Sequence, residues 1–301
     1  MTDSADTATV ASPIRPGIAG PLPPETKVGL PIAAPVSTVD LADLLRIDRI
    51  DRHLYRSVVT LDEALPLFGG QVAAQALLAA GRTVPEDRLP HSLHCYYLRG
   101  GDSGRPVVFR VDEDRDGRSY SARRVTAVQA GEIIFTLSAS FAVPRDGADY
   151  EAEPISGVPD PEDLPEWKLE RLSSLEARVP PQRTPSSPWP TRFWARSAAA
   201  LPDSPLVHAA ALTYLSDLST GLADAPGGAA WTGASLDHAV WFHRPVRLDE
   251  WVLVDLLVQR AAAGRGVYTG TIRSADGTTA ATLIQEAMFR EPPPGRAVPR
   301  I

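Results

Sequence analysis

Phe68-Gly69-Gly70-Gln71-Val72-Ala73-Ala74-Gln75-Ala76-Leu77-Leu78-Ala79-Ala80-Gly81 combines flanking glycines with a run of small apolar residues. The run predicts a helix over residues 72–80, which the final glycine ends. Because alanine side chains are short, other backbone can approach such a helix closely, and we expect a sheet to wrap around it. The two leading glycines either leave N–H groups open at a helix N-terminus, where negative charge is favoured, or simply form a tight turn.

The residues around this helix predict an antiparallel sheet. A short helix over residues 39–45 comes before it, opened by Ser37, which stands three residues before Asp40. A strand region over 47–59 follows that short helix. After the alanine-rich helix, apolar segments alternate with glycine-containing turns, which is typical of a meander. The predicted strands cover residues 91–98, 107–112, 119–128 and 133–143.

The same order of elements returns in the second part of the chain. A predicted helix over residues 206–220 precedes predicted strands at 235–243, 251–259, 265–273 and 279–289. Turn residues match as well, since Gly117-Arg118 corresponds to Gly264-Arg265 and Gly131 to Gly277. We infer an internal duplication of about 100 residues. The fold class is α+β, with two half-units, each a helix and a curled antiparallel sheet, joined edge to edge.

Proline-rich segments separate these units. The linker is broken by many prolines, and a helix over residues 166–178 is the one element predicted in it. We expect a disordered tail at residues 1–36, a first half at 37–145, a linker at 146–192, a second half at 193–292 and a C-terminal tail at 293–301.

Composition excludes several classes of function. The net charge of −7 argues against nucleic acid as a partner. Cys95 is the sole cysteine, so neither an intramolecular disulfide nor a multi-cysteine zinc site is expected, and we expect this side chain to be packed. No apolar run approaches the roughly 20 residues of a membrane helix, so membrane insertion is not expected. No signal peptide is recognisable, which favours a cytoplasmic location.

Ser235-Leu236-Asp237-His238-Ala239-Val240-Trp241-Phe242-His243-Arg244-Pro245 is an unusual strand sequence. Alternation places Ser235 and Asp237 on one face and His238 on the other. A hydroxyl, an acid and two imidazoles among aromatic residues are typical of the wall of a site. A half-exposed edge strand would explain the same pattern.

Asp217 and Gln285 do not fit a simple core. Asp217 shares a helix face with Leu206, Ala210 and Tyr214, although the helix is apolar nearly all round. Gln285 lies on the apolar face of the last strand, where the first half has Ala139. Each residue also has a structural explanation. Asp217 could cap the helix before a break, and the amide of Gln285 could be hydrogen-bonded to neighbouring backbone.

Asp217, Ser235 and Gln285 together favour one kind of chemistry. An acid, a hydroxyl and an amide without a reactive nucleophile can position and deprotonate a water. Hydrolysis of an activated carbonyl such as a thioester needs neither a metal nor a cofactor, and we expect none. Backbone N–H groups near Gly70 and Gln71, or the Gln285 amide, are candidate donors to the thioester oxygen.

Other polar residues carry weaker signals. His238 and His243 fall on opposite strand faces, so shared coordination of a metal is not expected. Arg123 and Arg124 could meet phosphates, but arginines at the surface or at an interface are the commoner outcome.

The chain resembles the acyl-CoA thioesterase II family over about residues 40–292. In the first half the matching blocks are Phe68-Gly69-Gly70-Gln71-Val72, His91-Ser92-Leu93-His94, Leu98-Arg99, Gly101-Asp102, Arg115-Asp116-Gly117, Ser121-Ala122-Arg123-Arg124-Val125 and Ala139-Ser140-Phe141. In the second half they are Leu236-Asp237-His238, Trp241-Phe242-His243-Arg244-Pro245 and Gln285-Glu286.

The resemblance implies a double hot-dog fold and hydrolysis of medium- or long-chain acyl-CoA. It implies a catalytic set of Asp217, Ser235 and Gln285. Serine stands where many members carry threonine, and Gly100 stands where relatives usually have proline. We add Gly70, Gln71 and Tyr214 as candidate substrate-binding residues.

Two other functions compete with this one. A hydratase or dehydratase on the same fold would need a histidine beside an acid, and no histidine neighbours Asp217 in sequence. A non-enzymatic acyl-CoA-binding module would bind without turnover, which the complete set of three residues argues against. The family and the expected long sheet edges favour a homo-oligomer.

Overall fold

The computed structural model describes residues 32–34, 39–63, 65–151, 157–185, 187 and 189–291. The first half comprises β1 (Ile32–Ala34), α1 (Leu41–Leu44), β2 (Ile47–Asp51), β3 (Leu54–Ser57), β4 (Val59–Leu61), α2 (Gly69–Gly81), β5 (Leu89–Tyr97), β6 (Val108–Asp116), β7 (Tyr120–Gln129) and β8 (Glu132–Ala142). The rest comprises a 3-10 turn (Pro161–Asp163), β9 (Leu175–Arg178), β10 (Arg192–Ser197), α3 (Pro205–Ser216), α4 (Gly228–Trp231), β11 (Thr232–Phe242), β12 (Val252–Ala262), β13 (Arg265–Ser274) and β14 (Thr279–Phe289).

Twelve of the described strands form one sheet in the order β2-β3-β6-β7-β8-β5-β11-β14-β13-β12-β10-β9. At its centre β5 of the first half pairs antiparallel with β11 of the second, with Cys95 opposite His238 and Leu93 opposite Val240. This pairing confirms the predicted edge-to-edge union of two half-sheets. It also brings residues from both halves to one seam.

The alanine-rich helix α2 is buried, as its composition predicts. Ala73, Ala76 and Leu77 have no exposed surface. The helix packs against β5–β8 and also against α3, so the two long helices share one layer beside the sheet. At Gly81 a Cβ would stand 2.4 Å from the side chain of Leu206, which shows how closely the helices approach.

Two predictions about local structure are wrong, and a third, the strand region at 47–59, is confirmed with a turn inside it. The helix predicted over residues 166–178 does not form, because Leu175 and Ala177 alternate with more exposed neighbours and β9 pairs antiparallel with β10. The predicted strand region at 47–59 is a hairpin, whose turn holds His53 at a φ of 59°. Within the predicted disordered tail, Ile32–Ala34 pair in parallel with β4.

The other domain limits stay predictions. The remainder of residues 1–36 and residues 293–301 lie outside the described ranges, as does Ser37, which the sequence favours as the start of α1. The described N-cap of α1 is Asp40, whose side chain accepts a hydrogen bond from Asp43 N. Among the described residues no helix has the length and apolar character needed to span a bilayer.

Arg123 corrects another expectation, since it is neither a surface nor an interface residue. Its side chain is 1% exposed and donates to Thr83 Oγ1, to main-chain oxygens and to Asp116. Arg124, one residue later on β7, is exposed and pairs with Asp114. The alternation of β7 therefore separates a structural arginine from a solvated one.

Candidate active site

Asp217 lies just beyond the last turn of α3. The sequence predicts a helix to residue 220, but α3 ends at Ser216 and Asp217 is its C-cap. Beyond this cap, the ring of Tyr268 packs so tightly on Gly221 that a Cβ would stand 2.2 Å from it. Asp217 is only 3% exposed, so its carboxyl group depends on protein donors.

Ser235 reaches Asp217 through an irregularity in β11. Opposite β14, Ser235 pairs with Ala287 and Asp237 with Glu286, so one extra residue is inserted between them. This β-bulge turns Ser235 to the face of Ala287, which is the buried face that also carries Gln285. Simple alternation predicts that Ser235 and His238 lie on different faces of the strand, and this prediction is wrong for Ser235.

The three predicted catalytic residues meet in one hydrogen-bonded triangle. Ser235 Oγ donates to Asp217 Oδ1 over 3.1 Å. Gln285 Nε2 donates to Asp217 Oδ1 over 2.9 Å and to Ser235 Oγ over 2.6 Å. Gln285 has no exposed surface, and it arrives from the last strand. The structure therefore brings together side chains from α3, β11 and β14.

Ser219 is a fourth member that the sequence prediction missed. Its Oγ accepts from Gln285 Nε2 over 2.8 Å, lies 3.2 Å from Ser235 Oγ and donates to the main-chain oxygen of Asp217. In a helix, residues two apart point to different faces, so the predicted helix over 206–220 hid this contact. The early end of α3 lets Ser219 turn back toward Asp217.

The first half of the chain contributes the start of α2. Its N-cap Phe68 has no capping hydrogen bond from its side chain, and the Gly70 N–H is directed at the carboxylate of Asp217 and lowers its pKa. A Cβ at Gly69 would stand 2.6 Å from Asp217 Oδ2 and 2.7 Å from Cε1 of Tyr97. The glycines predicted to favour negative charge at a helix N-terminus therefore face an acid from the other half.

Comparison with known proteins gives matches over most of the chain. A family model described as the acyl-CoA thioesterase N-terminal domain matches residues 62–142, and one described as the C-terminal domain matches residues 151–289. The chain is 32% identical to human acyl-coenzyme A thioesterase 8 over 85% of this chain and 90% of that protein. This chain belongs to the acyl-CoA thioesterase II family.

Solved structures support the thioesterase fold. An acyl-CoA thioesterase II from Mycobacterium marinum is 36% identical, with a TM-score of 0.71 over 83% of this chain and 98% of that one. A protein of unknown function with a hot-dog fold from Alicyclobacillus acidocaldarius, 22% identical, has a TM-score of 0.71 over 83% of this chain and 98% of its own. The expected double hot-dog fold is confirmed, and the protein is a thioester hydrolase.

Burial sets the protonation behaviour of the thioesterase site. It raises the pKa of Asp217 from 3.8 to about 6, while the polar contacts from Gln285, Ser235, Tyr97 and the Gly70 N–H act in the opposite direction. The carboxyl group therefore becomes an anion just below neutral pH, in surroundings that make it a stronger base than an exposed aspartate.

His238 and His243 play different structural parts. His238 is buried, and its Nε2 lies 2.7 Å from Ser216 Oγ. Burial lowers its pKa to about 3, so its imidazole is neutral and stands beside Gln285 on the neighbouring strand. His243 is exposed, and its Nε2 lies 2.9 Å from Thr282 Oγ1. The two rings share no ligand position.

The candidate substrate-binding residues lie next to the triangle. Gln71 and Tyr214 line a small cavity with Phe68 and Leu172, and a Cβ on Gly70 would stand 2.5 Å from Phe68 and from the Tyr214 main-chain oxygen. The Gln71 N–H donates to Phe68 O over 3.1 Å, and the Gly70 N–H is directed at Asp217. These amides are engaged in this structure, as Gln285 Nε2 is, and their role as donors to the thioester oxygen stays a prediction. Their contact with substrate stays a prediction.

Proposed function

We propose that the protein hydrolyses acyl-CoA to a free acid and CoA, with Asp217 as the general base that activates a water. The observation that carries this proposal is the buried triangle of Asp217, Ser235 and Gln285. A carboxyl group with a pKa of about 6 is poised to accept a proton near neutral pH. The described chemistry requires no covalent enzyme intermediate.

Each residue of the triangle has a different role in the reaction. Asp217 takes a proton from water, and the water oxygen bonds to the carbonyl carbon of the thioester. Gln285 Nε2 donates to the oxygen that becomes negative, and Ser235 keeps the carboxylate and the amide in register. Collapse of the tetrahedral intermediate breaks the C–S bond, and the proton held by Asp217 is transferred to the departing CoA sulfur.

Substitution of the base tests the proposal. Asp217→Asn removes the acceptor and keeps the size of the side chain, so we expect turnover to fall by about 10²- to 10⁴-fold. Release of CoA is followed with a thiol reagent on a series from acetyl-CoA to palmitoyl-CoA. A folded variant with near-normal turnover contradicts the base assignment. The chain-length profile tests the preference for medium or long chains that the family resemblance implies.

The same assay separates the rival functions. A hydratase or dehydratase would change the absorbance of an enoyl thioester without releasing a thiol, and a binding module would retain acyl-CoA without turnover. Burial lowers the pKa of His238 to about 3, which makes its imidazole a weak base for hydratase chemistry. Acyl groups presented on a carrier protein instead of CoA test the identity of the thiol.

We also propose that the thioesterase self-associates, but not through long sheet edges. The edge strands β2 and β9 have five and four residues. Tyr96 is 59% exposed and Ile284 39% exposed on the central strands β5 and β14, and Trp241 meets His94 edge to face between them. Light scattering on wild type and Ile284→Glu tests this face.

A cytoplasmic location also stays a prediction, which cell fractionation tests.

A further inference from the structure

Tyr97 brings a phenol from the first half of the chain to the carboxylate of Asp217. It is the last residue of β5, the strand that pairs with β8 on one side and with β11 on the other. Its hydroxyl oxygen is buried, and within the described ranges no hydrogen bond of regular geometry satisfies it. Since a buried hydroxyl without a partner is costly, its place beside a catalytic acid indicates a task.

The two oxygens of Asp217 have different surroundings. Oδ1 accepts from Ser235 and Gln285. Oδ2 points to the start of α2. A Cβ added to Gly69 there would stand 2.6 Å from Oδ2, 2.7 Å from Tyr97 Cε1 and 3.2 Å from Tyr97 Cζ. The hydroxyl-bearing edge of the phenol and the second carboxylate oxygen therefore converge on one point.

The Tyr97 ring is held in place by its neighbours. Its centroid is 5.3 Å from that of Phe135, which is 1% exposed and directly opposite Tyr97 on β8. Packed rings of this kind restrict rotation of the side chain. A fixed ring can hold its hydroxyl at a fixed point relative to Asp217.

We propose that Tyr97 is a positioning residue, whose hydroxyl donates to Asp217 Oδ2 and holds the carboxylate with Oδ1 facing the water. The inference rests on the proposed role of Asp217 as the base. On this proposal the active site is formed by both halves of the chain, because the base Asp217 lies in the second half and Tyr97, which orients it, lies in the first.

The electrostatic surroundings make Tyr97 a donor rather than an acid in its own right. Burial, and then the charge of Asp217, raises the pKa of Tyr97 well above its usual range, so the phenol keeps its proton. Among the described residues, the other titratable groups that interact with Asp217 are Cys95 on β5 and Tyr268 on β13, and His238 on β11 contacts the preceding Ser216. Burial raises the pKa of Cys95 and of Tyr268 and lowers that of His238 to about 3, so all three are neutral between pH 5 and 8.

Tyr97→Phe tests the inference, with Tyr96→Phe as the matched control. Both changes remove one oxygen, but Tyr96 lies on the opposite face of β5 and is 59% exposed. Loss of a donor destabilises the Asp217 anion and raises its pKa. We expect the acidic limb of the kcat profile to move up by about one pH unit in Tyr97→Phe, with kcat at pH 7 down by about 3- to 30-fold and KM within about twofold. Tyr96→Phe should match wild type.

A carboxyl titration followed by NMR gives a readout that does not depend on turnover. The Asp217 carbon signal is assigned by comparison with Asp217→Asn, and its pKa is measured in wild type and in both tyrosine variants. An upward shift confined to Tyr97→Phe supports the inference. Coincident titrations and coincident kcat profiles overturn it. If Asp217→Asn keeps its turnover, the base assignment fails instead, so the two failures are distinguished.

Discussion

Ser235 donates to Oδ1 of Asp217 because a β-bulge turns its side chain to the buried face of β11. A regular strand would point this hydroxyl away from the helices and leave the acid with one fewer donor. Bulges of this kind re-aim side chains next to active sites. The contact therefore depends on a backbone feature as well as on the residue type.

Two serines contact Gln285, and we expect their removal to have unequal effects. Ser235 contacts the Asp217 carboxylate, whereas Ser219 reaches only its main-chain oxygen. Ser235→Ala should lower kcat by about 10- to 100-fold, and Ser219→Ala by less than about fivefold. Ser235→Thr keeps the hydroxyl and should retain most activity. Steady-state kinetics on one acyl-CoA checks this, and equal losses in both alanine variants would contradict the assigned roles.

The acidic limb of the activity profile should report Asp217. Its pKa of about 6 means that protonation removes the base as the pH falls through 6. We therefore expect kcat to be level above about pH 7 and to fall about tenfold per pH unit below pH 5. The measurement is kcat from pH 4.5 to 8.5 on a substrate whose chemistry limits the rate. A limb near pH 4 would show that the carboxyl group is not desolvated as the structure indicates.

The same desolvation should appear in stability. In the folded state Asp217 binds its proton more tightly than in the unfolded chain, where the pKa is near 3.8, so its contribution to stability is lost as the pH rises from about 4 to 6. The full difference is about 3 kcal/mol. We expect the stability of Asp217→Asn relative to wild type to rise by most of that amount between pH 4 and pH 7. Denaturant unfolding at both values measures it, and a constant difference would contradict the shifted pKa.

Much of the fold could be predicted because it depends on repeated local patterns. Alanine content predicts the buried helix α2, and duplicated glycine turns predict two sheets that join at β5 and β11. Asp217 and Gln285 stood out because polar groups are costly on apolar faces. Ser219, Tyr97 and the bulge at Ser235 depend on where α3 ends and on how the halves meet, and neither follows from periodicity.

Arg123 and Arg124 offer a matched test of burial on one strand. Arg123 Nε and Nη2 donate to Thr83, and the guanidinium also donates to Asp116 and main-chain oxygens, so Arg123→Ala removes a buried guanidinium and leaves several half-buried acceptors unpaired. We expect a loss of about 3 kcal/mol or more in the free energy of unfolding. Arg124→Ala removes a solvated pair and should not change stability measurably. Thermal and denaturant unfolding of both variants decides this, and similar stabilities would contradict the structural role of Arg123.

Gly69 should be required for activity because it provides the space in which Asp217 and Tyr97 meet. A methyl group there would stand 2.6 Å from Asp217 Oδ2 and 2.7 Å from Tyr97 Cε1, closer than carbon and oxygen atoms can pack. One of the two side chains must move, so we expect Gly69→Ala to lower kcat by about 10²-fold or more, since small misplacements of a catalytic group are costly. Gly100→Ala is the control, because a Cβ at that position meets nothing within 4 Å. Kinetics and thermal unfolding of both variants separate a catalytic from a folding defect: a folded Gly69→Ala enzyme with wild-type kcat would show that the carboxylate and the phenol tolerate displacement.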